Sequence, residues 1–429
     1  MTSPAAPGLM LRAYLALRPA LQPLMRVILR RRVAQGKDTQ ARAGEKLGHA
    51  TLARPGGTLV WLHAVGLGEV LALRPLILAM SEQRPDLSFL ITSTARSSAK
   101  VAGANLPPNT LHQFLPLDGP NFVNAFLDHW RPDLAVWSEQ DVWPGAVMDI
   151  ANREIPQAYI NARITAEGFR RRARLGRLNS DILSRFLLVG SQNQETVHFL
   201  AQLGANDVQL FPSLKPAAPA LVHDPDSLRN LQTGLSGRKV WVAASTHEGD
   251  EAVALAAQSH IFAEDPARLL ILAPRIPARA SEIAAELNRL NISFAQRSKN
   301  DRMDASTAVY LADTFGELGL WYRLADHALI GNSFQGRGGH NPWEAICLGV
   351  PVICGPDTQN FEDDYDQVDS AGLLTRIIDK SNPADQLAQT VARLHDSTVQ
   401  TKAKALVAQA HDGLSPLAAK LVSLIKTPS

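Results

Sequence analysis

Cysteine is nearly absent. The 429 residues hold two, Cys347 and Cys354, too few for a disulfide framework or for a tetrahedral zinc site on their own. That scarcity fits a reduced compartment. An excess of either charge is lacking too: 43 Lys and Arg stand against 41 Asp and Glu, so no basic footprint marks a nucleic-acid binder. No uninterrupted apolar run reaches spanning length. None of the 12 histidines shares metal-ligand spacing with another on one helix, so no metal site is expected. The chain contains no GxSxG, Walker loop or nicotinamide fingerprint, no short-period repeat and no low-complexity segment. What is there is ample apolar material, 45% of residues, at a mean hydropathy of −0.07. At about 150 residues per domain, the length predicts two or three soluble globular domains.

Acid is missing from one stretch in particular. Residues 9–33 read LMLRAYLALRPALQPLMRVILRRRV, with many large apolar and basic residues. Arg12, Arg18 and Arg26 interrupt the apolar run, and Pro19 and Pro23 disturb a helix through it. The basic residues lie within and after the apolar part, against the order of a cleaved signal peptide. Leu, Met and Tyr on one side with Arg on the other suggest a segment lying in an anionic membrane surface. The alternative is a leader helix packed on its own domain.

From Thr58 onward short apolar runs alternate with helical patterns. TLVWLHAV leads into EVLALRPLILAM, LSFLITST into ARSSAKVAGAN, DLAVWS into WPGAVMDIANRE, PQAYIN into a basic helix through GFRRRARLGRL, and FLLVGS into QETVHFLAQLG. Such alternation predicts α/β architecture, with parallel sheets covered on both faces. The Pro-rich stretch 211–226, FPSLKPAAPALVHDPD, breaks the rhythm. The alternation restarts at RKVWVAAST and runs through LLILAPR, ISFAQRS, AVYLAD, HALIGNSF and PVICGP, before helical patterns from Pro383 to Lys426. The reading is a membrane-surface segment at 1–33, a first doubly wound domain at 34–215, a linker at 216–226 and a second doubly wound domain at 227–429 that keeps the terminal helices. Two such domains facing each other make a cleft at the carboxyl ends of their strands, where open α/β sheets bind ligands.

Four clusters fall at predicted strand-to-helix turns. In HAVGLGEV, Gly66 and Gly68 permit a tight turn and Glu69 lands in the first helical turn. A carboxylate there serves either as a general base or as an acid complementing the helix dipole. In SEQDVWPG, Glu139, Asp141 and Trp143 can position a polyhydroxy substrate, or Asp141 simply caps the helix that Pro144 begins. In ASTHEGDE, Ser245, Thr246 and His247 precede a helix whose first turn carries Glu248 to Glu251: an anion site, or a plain cap. In FQGRGGHNPWEAICLG, Arg337, Gly338, Gly339, His340 and Asn341 precede a helix that Pro342 suits at its first position. Glycines there let a phosphate reach backbone amides, and Glu344 one turn in can accept ribose hydroxyls. Arg275 in APRIP, Gly316 in ADTFGELG and Lys215 in FPSLKP are further candidates, each with a solvated or structural alternative.

In order, these segments resemble the Kdo transferase family, whose enzymes move 3-deoxy-D-manno-octulosonic acid (Kdo) from CMP-Kdo onto a lipid A precursor. The resemblance spans nearly the whole chain: the basic apolar N-terminus, HAVGLGE, SEQDVWP, the NAR of INARIT, SLK, STHEG, APR, DTFGELG, and RGGHNPWE followed by GVPVICGP and NF. It implies a GT-B glycosyltransferase fold of two Rossmann-like domains, an inverting reaction in lipopolysaccharide assembly, no cofactor and no catalytic metal. It also implies location at the cytoplasmic face of the inner membrane, with CMP-Kdo, a lipid A precursor and an anionic membrane surface as partners.

Carried over by position, Glu69 matches the catalytic base, and Glu139 and Lys215 match positions that stabilise the transition state. Pro274 and Arg275, then Phe315, Gly316 and Glu317, then Asn341, Pro342, Trp343 and Glu344 match CMP-binding segments. The chain departs from the family pattern at Gly66 for Ser, Ile276 for His and Phe315 for Met, with Asp141 a mild change of acid. Alternatives are a related enzyme with another activated sugar or acceptor, a nucleotide-sugar epimerase, which needs no lipid-facing N-terminus, and a catalytically silent binding protein.

Overall fold

The computed structural model describes residues 6–94, 106–139, 142–235, 237–379, 381–393 and 398–426. The predicted helix ARSSAKVAGAN at 95–105 and Asp141 lie outside the described residues. The chain divides into two compact units, 1–219 with 409–429 and 220–408. The division falls inside the expected linker.

The first unit holds a parallel seven-stranded sheet of order β3-β2-β1-β4-β5-β6-β7. Its strands are β1 (Leu59–His63), β2 (Ser88–Ser93), β3 (Thr110–Phe114), β4 (Leu134–Ser138), β5 (Gln157–Ala162), β6 (Leu188–Ser191) and β7 (Val208–Leu210). Successive side chains of a strand point to opposite faces, so a strand covered on both sides must be apolar throughout. Residues 59–62 of β1, LVWL, do this: Val60 and Leu62 enter one core, with Leu73 and Ile77 of the helix Leu67–Gln83. Leu59 and Trp61 enter the other, with Phe126 and Trp130 of the helix Pro120–Trp130.

The second unit repeats the plan. Its order is β10-β11-β9-β8-β12-β13-β14, again parallel. The strands are β8 (Lys239–Thr246), β9 (Arg268–Pro274), β10 (Phe294–Gln296), β11 (Val309–Leu311), β12 (His327–Ile330), β13 (Val352–Cys354) and β14 (Leu374–Arg376). Val240, Val242 and Ala244 face one core while Trp241 and Ala243 face the other. Each sheet has one point where the strand order reverses, between β1 and β4 in the first and between β8 and β12 in the second. Such switch points open crevices at the strands' carboxyl ends.

Three differences from the sequence reading have physical causes. The first helix runs unbroken over Leu9–Ala34 through both prolines. Pro23 has no N–H for the Pro19 carbonyl, and the Gln22 side-chain amide donates to that oxygen instead, at 3.4 Å. Secondly, the terminal helix Ser415–Leu424 belongs to the first unit, not the second. Leu414, Leu417, Ala418 and Leu421 share a core with Val70, Leu73 and Ile77, because the helix Leu67–Gln83 is apolar beyond the face its sheet can cover. Thirdly, β3, β7 and β14 escape the pattern of apolar runs. All three lie at or beside sheet edges or are too short to register: TLHQF of β3 is half polar, and β7 and β14 have three residues each.

The N-terminal helix also sorts its side chains against intuition. Arg18 is buried at 2% exposure. It meets Asp118 at 3.1 Å and Asp149 at 2.8 Å and donates to the Asp118 carbonyl at 2.9 Å. Tyr14 donates to Asp118 at 2.6 Å. Leu9, Met10, Leu17, Leu24, Val27 and Ile28 face outward instead, at 42 to 82% exposure. The helix therefore packs on its own domain through a polar seam and leaves an apolar stripe uncovered by its own unit. Among the described residues, no helix is long and apolar enough to cross a membrane.

Candidate active site

In the first unit the switch point lies between the turns that follow β1 and β4, and these turns carry Glu69 and Glu139. Gly66 is the N-cap of the helix Leu67–Gln83. It has no side chain to offer, and Glu69 closes the turn: its Oε2 accepts from Val65 N at 2.8 Å and from Gly66 N at 3.4 Å. A Cβ at Gly66 would meet only Glu69 Oε1, at 3.9 Å, and its φ is −95°. The family's serine would fit there without strain.

Glu139 sits just beyond β4 with φ +63°. Its amide donates to the Ile160 carbonyl at 3.1 Å and its Oε1 accepts from Asn161 Nδ2 at 3.2 Å. Asn161 is itself left-handed, at φ +54°. It lies where the β5–β6 register shifts: Tyr159 pairs with Val189 but Ala162 with Ser191, which places one extra residue in β5. Asn161 Oδ1 accepts from Leu214 N at 3.2 Å. Leu214 opens the 3-10 turn Lys215–Ala217. The fold thus joins Glu139 to the turn of Lys215 through one buried amide.

In the second unit the facing turns follow β8 and β12. Here too a bulge sits at the strand end: Ala244 pairs with Ala273 and Thr246 with Pro274, leaving Ser245 as the extra residue at φ +56°. Gly331 passes so close that a Cβ would meet the Ser245 carbonyl oxygen at 2.4 Å. Asp250, in the first turn of the helix Glu248–Glu264, links the two turns. Its Oδ2 accepts from His247 N at 2.9 Å and Asn332 N at 2.7 Å, and its Oδ1 from Ser333 N at 3.1 Å.

The RGGHNP loop is held from below. Asn332, at φ +64°, donates through Nδ2 to the Arg337 carbonyl at 3.1 Å, and Asn360 donates to the same oxygen at 2.7 Å. Gly338 and Gly339 have φ of +87° and +74°, which side chains resist. Gly339 N donates to Asn332 O at 2.7 Å, and Tyr365 donates to His340 O at 3.0 Å. The following helix, Trp343–Ile346, is a single turn, capped by Asn341 Oδ1 accepting from Trp343 N at 3.1 Å. A single turn carries little of the dipole that the longer helix Glu248–Glu264 presents at its N-terminus.

His247 and His340 stack at 5.7 Å between ring centroids. Burial, with Arg275 and His247 nearby, lowers His340 to about 4. Burial likewise lowers His247, aided by Arg337, Arg279 and Arg275. Both shifts favour the neutral imidazole. His340 Nε2 is buried with no hydrogen-bond partner among the described residues. Burial pushes the Glu344 carboxyl up to about 7, partly offset by Arg275. Arg275 is exposed, its amide donating to Thr246 O at 3.0 Å. One guanidinium thus acts on His247, His340 and Glu344 together.

The remaining positions divide. Thr246, Pro274, Pro342 and Trp343 are buried. Thr246 donates to Glu251 at 3.3 Å and Trp343 to Asp364 at 2.9 Å, so these side chains build the walls rather than face a ligand. Glu317 is bound to Arg297 at 2.7 Å and also accepts from Thr314; these bonds outweigh its burial and hold its carboxyl below the usual range. Gly316 turns the loop at φ +90°. Phe315 and Ile276 project at 71% and 48% exposure, on loops after the paired strands β11 and β9. Sequence reasoning gives no individual role to Asn161, Asp250 or Asn332. Asp250 is legible only as a helix-capping acid, and the bulge at Asn161 leaves no signal beyond an Asn at a strand end. Among the described residues, no group of three or more His, Cys, Asp or Glu side chains could hold a metal ion.

Two doubly wound parallel sheets, each with loop residues gathered at its switch point, define the GT-B class. The same architecture occurs in the crystal structure of UDP-GlcNAc 2-epimerase from Neisseria meningitidis bound to UDP-GlcNAc. That structure has a TM-score of 0.55 at 13% identity, over 86% of this chain and 99% of the other. Fold alone therefore does not separate transferase from epimerase. Sequence does. The profile of the 3-deoxy-D-manno-octulosonic-acid transferase (kdotransferase) family matches residues 41–218. A probable mitochondrial 3-deoxy-D-manno-octulosonic acid transferase of Arabidopsis thaliana is 34% identical over 359 residues, 82% of this chain and 80% of the relative. The 3-deoxy-D-manno-octulosonic acid transferase of Bordetella pertussis is 34% identical over 372 residues, 85% of this chain and 86% of the relative. The chain belongs to the Kdo transferase family and is a glycosyltransferase.

Proposed function

We propose that the protein transfers Kdo from CMP-Kdo to a lipid A precursor at a membrane surface, with inversion at the anomeric carbon. Glu69 takes the proton of the acceptor hydroxyl. The hydroxyl oxygen bonds to the anomeric carbon as the bond from that carbon to the CMP phosphate oxygen breaks, and the electron pair leaves with CMP. The observation that carries the reading is the placement of Glu69 and Glu139 on the two turns of one switch point, with Glu69 fixed by two backbone amides. A base must be held at the reacting hydroxyl before its acidity matters.

The second unit supplies the donor site in this reading. The amides after the Ser245 bulge, the positive end of the helix Glu248–Glu264 and the guanidinium groups of Arg275 and Arg337 offset the charge of the leaving CMP. Glu344 receives the ribose hydroxyls. Glu139 and Lys215 stabilise the transition state. The exposed stripe of Leu9, Met10, Leu17, Leu24, Val27 and Ile28, bordered by Arg12, Arg30 and Arg31, supports a helix lying in an anionic lipid surface; in this reading that surface is the cytoplasmic face of the inner membrane.

Calorimetric binding of CMP, with UMP and UDP as controls, tests the donor class. CMP-Kdo and a lipid A precursor in mixed micelles then test transfer. Selective CMP binding with mass gain on the acceptor is the expected result. Preference for a uracil nucleotide, or no transfer from CMP-Kdo, overturns it.

A further inference from the structure

We propose that Asn161 is a positioning residue, which sets the Glu139 carboxylate and the turn of Lys215 in fixed relation for the transfer step. The inference rests on the roles assigned above to Glu139 and Lys215.

Three features converge on this side chain. It is buried at 5% exposure. It engages both halves of its amide: Nδ2 donates to Glu139 Oε1 at 3.2 Å, and Oδ1 accepts from Leu214 N at 3.2 Å. Its backbone is left-handed at the β5 bulge, and its carbonyl accepts from Gln192 Nε2 at 2.6 Å. Bulges recur beside active sites because they re-aim a side chain that the strand would otherwise bury in register.

The chemistry leaves few residues able to replace it. The position requires a short side chain with one donor and one acceptor, on a backbone at φ +54°. Asn tolerates that conformation and provides both groups. Asp keeps the acceptor for Leu214 but faces Glu139 with a second carboxylate. Gly keeps the backbone and loses both bonds. Glu139 itself is held at φ +63°, and its amide binds the Ile160 carbonyl one residue before Asn161. The ends of β4 and β5 are therefore interlocked, and the amide of Asn161 carries that order on to residues 214–217.

The test is steady-state transfer by the full-length Asn161→Asp variant beside wild type, from pH 5.5 to 8, with CMP binding and thermal melting measured on the same samples. At pH 8 kcat should fall roughly tenfold or more, the scale of a misplaced reacting group, while CMP affinity stays at the wild-type value. The variant-to-wild-type rate ratio should rise as pH falls, because the introduced carboxyl, once protonated, again donates to Glu139. Asn161→Gly should lose kcat at every pH. Wild-type turnover in Asn161→Asp overturns the proposal, as does a pH-independent loss that follows the melting temperature. Transfer by wild type in the same assay separates the two readings: its absence overturns the proposed function and this inference together, whereas its presence with an unaffected Asn161→Asp overturns this inference alone.

Discussion

Asp250 accepts the backbone amide of Asn332 at 2.7 Å across the switch point of the second sheet, while the same carboxylate oxygen accepts from His247 at 2.9 Å. Residues 82 apart in sequence are thereby locked into one rim. Both sheets end a strand in a bulge, at Ser245 of β8 and at Asn161 of β5. In the second sheet the buried Asp250 fixes the neighbouring turns, and in the first the bulged Asn161 itself binds the turn of Glu139.

Asp250→Asn keeps one acceptor oxygen for three amides. All three amides lose the charge, and at least one loses its acceptor, at about 1.5 to 3 kcal/mol for a bond to a charged group. The urea midpoint should drop accordingly, and calorimetric CMP affinity should fall roughly tenfold, about 1.4 kcal/mol. Wild-type affinity in a folded variant would show that the rim needs no such staple.

Glu69→Ala should leave the fold and CMP affinity nearly intact while transfer falls by roughly a hundredfold or more, the contribution of a general base. Radiolabelled or mass-resolved acceptor product measures the rate. Normal turnover would remove Glu69 from the mechanism.

Glu344 gives the pH dependence a definite sign. Its carboxyl is raised by burial from 4.5 to about 7. Between these values the folded protein keeps a proton that the unfolded chain has released, so this contribution to stability falls as pH rises. Glu344→Gln removes that titration, and its melting temperature should gain on wild type between pH 5 and 8. In the ligand assay a carboxylate accepts ribose hydroxyls better than the acid does. Wild-type CMP binding should therefore strengthen relative to Glu344→Gln as pH passes 7, a comparison in which the titration of CMP itself cancels. A constant ratio would move the ribose elsewhere.

The two sides of the N-terminal helix should respond oppositely. The triple replacement Leu17→Glu, Leu24→Glu, Ile28→Glu removes the apolar stripe, each side chain being worth about 1.5 to 3 kcal/mol when fully buried. Co-sedimentation with anionic vesicles should be lost with the melting temperature nearly unchanged. Arg18→Ala instead leaves Asp118 and Asp149 without their shared cation, at a cost of about 3 to 5 kcal/mol. That loss should appear in denaturation and not first in vesicle binding.

The doubly wound plan was legible because its central strands are covered on both faces and so read as unbroken apolar runs; LVWLH, LAVWS and KVWVAAST could be little else. The loop clusters were legible because Gly, His, Arg and acids gather where the apolar runs stop. Family motifs then ordered those clusters along the chain. Three things lay beyond the sequence's reach. The terminal helix crosses back to the first unit because a helix apolar on both sides needs a second cover, a demand that arises only once the sheet is in place. Arg18 turns inward because Asp118 and Asp149, a hundred or more residues away, meet it there. Asn161 and Asp250 acquire their roles from bulges and left-handed turns, which are properties of two strands held in register. Local sequence determined which residues could form strands and loops; only the packed sheets decided which polar groups would meet.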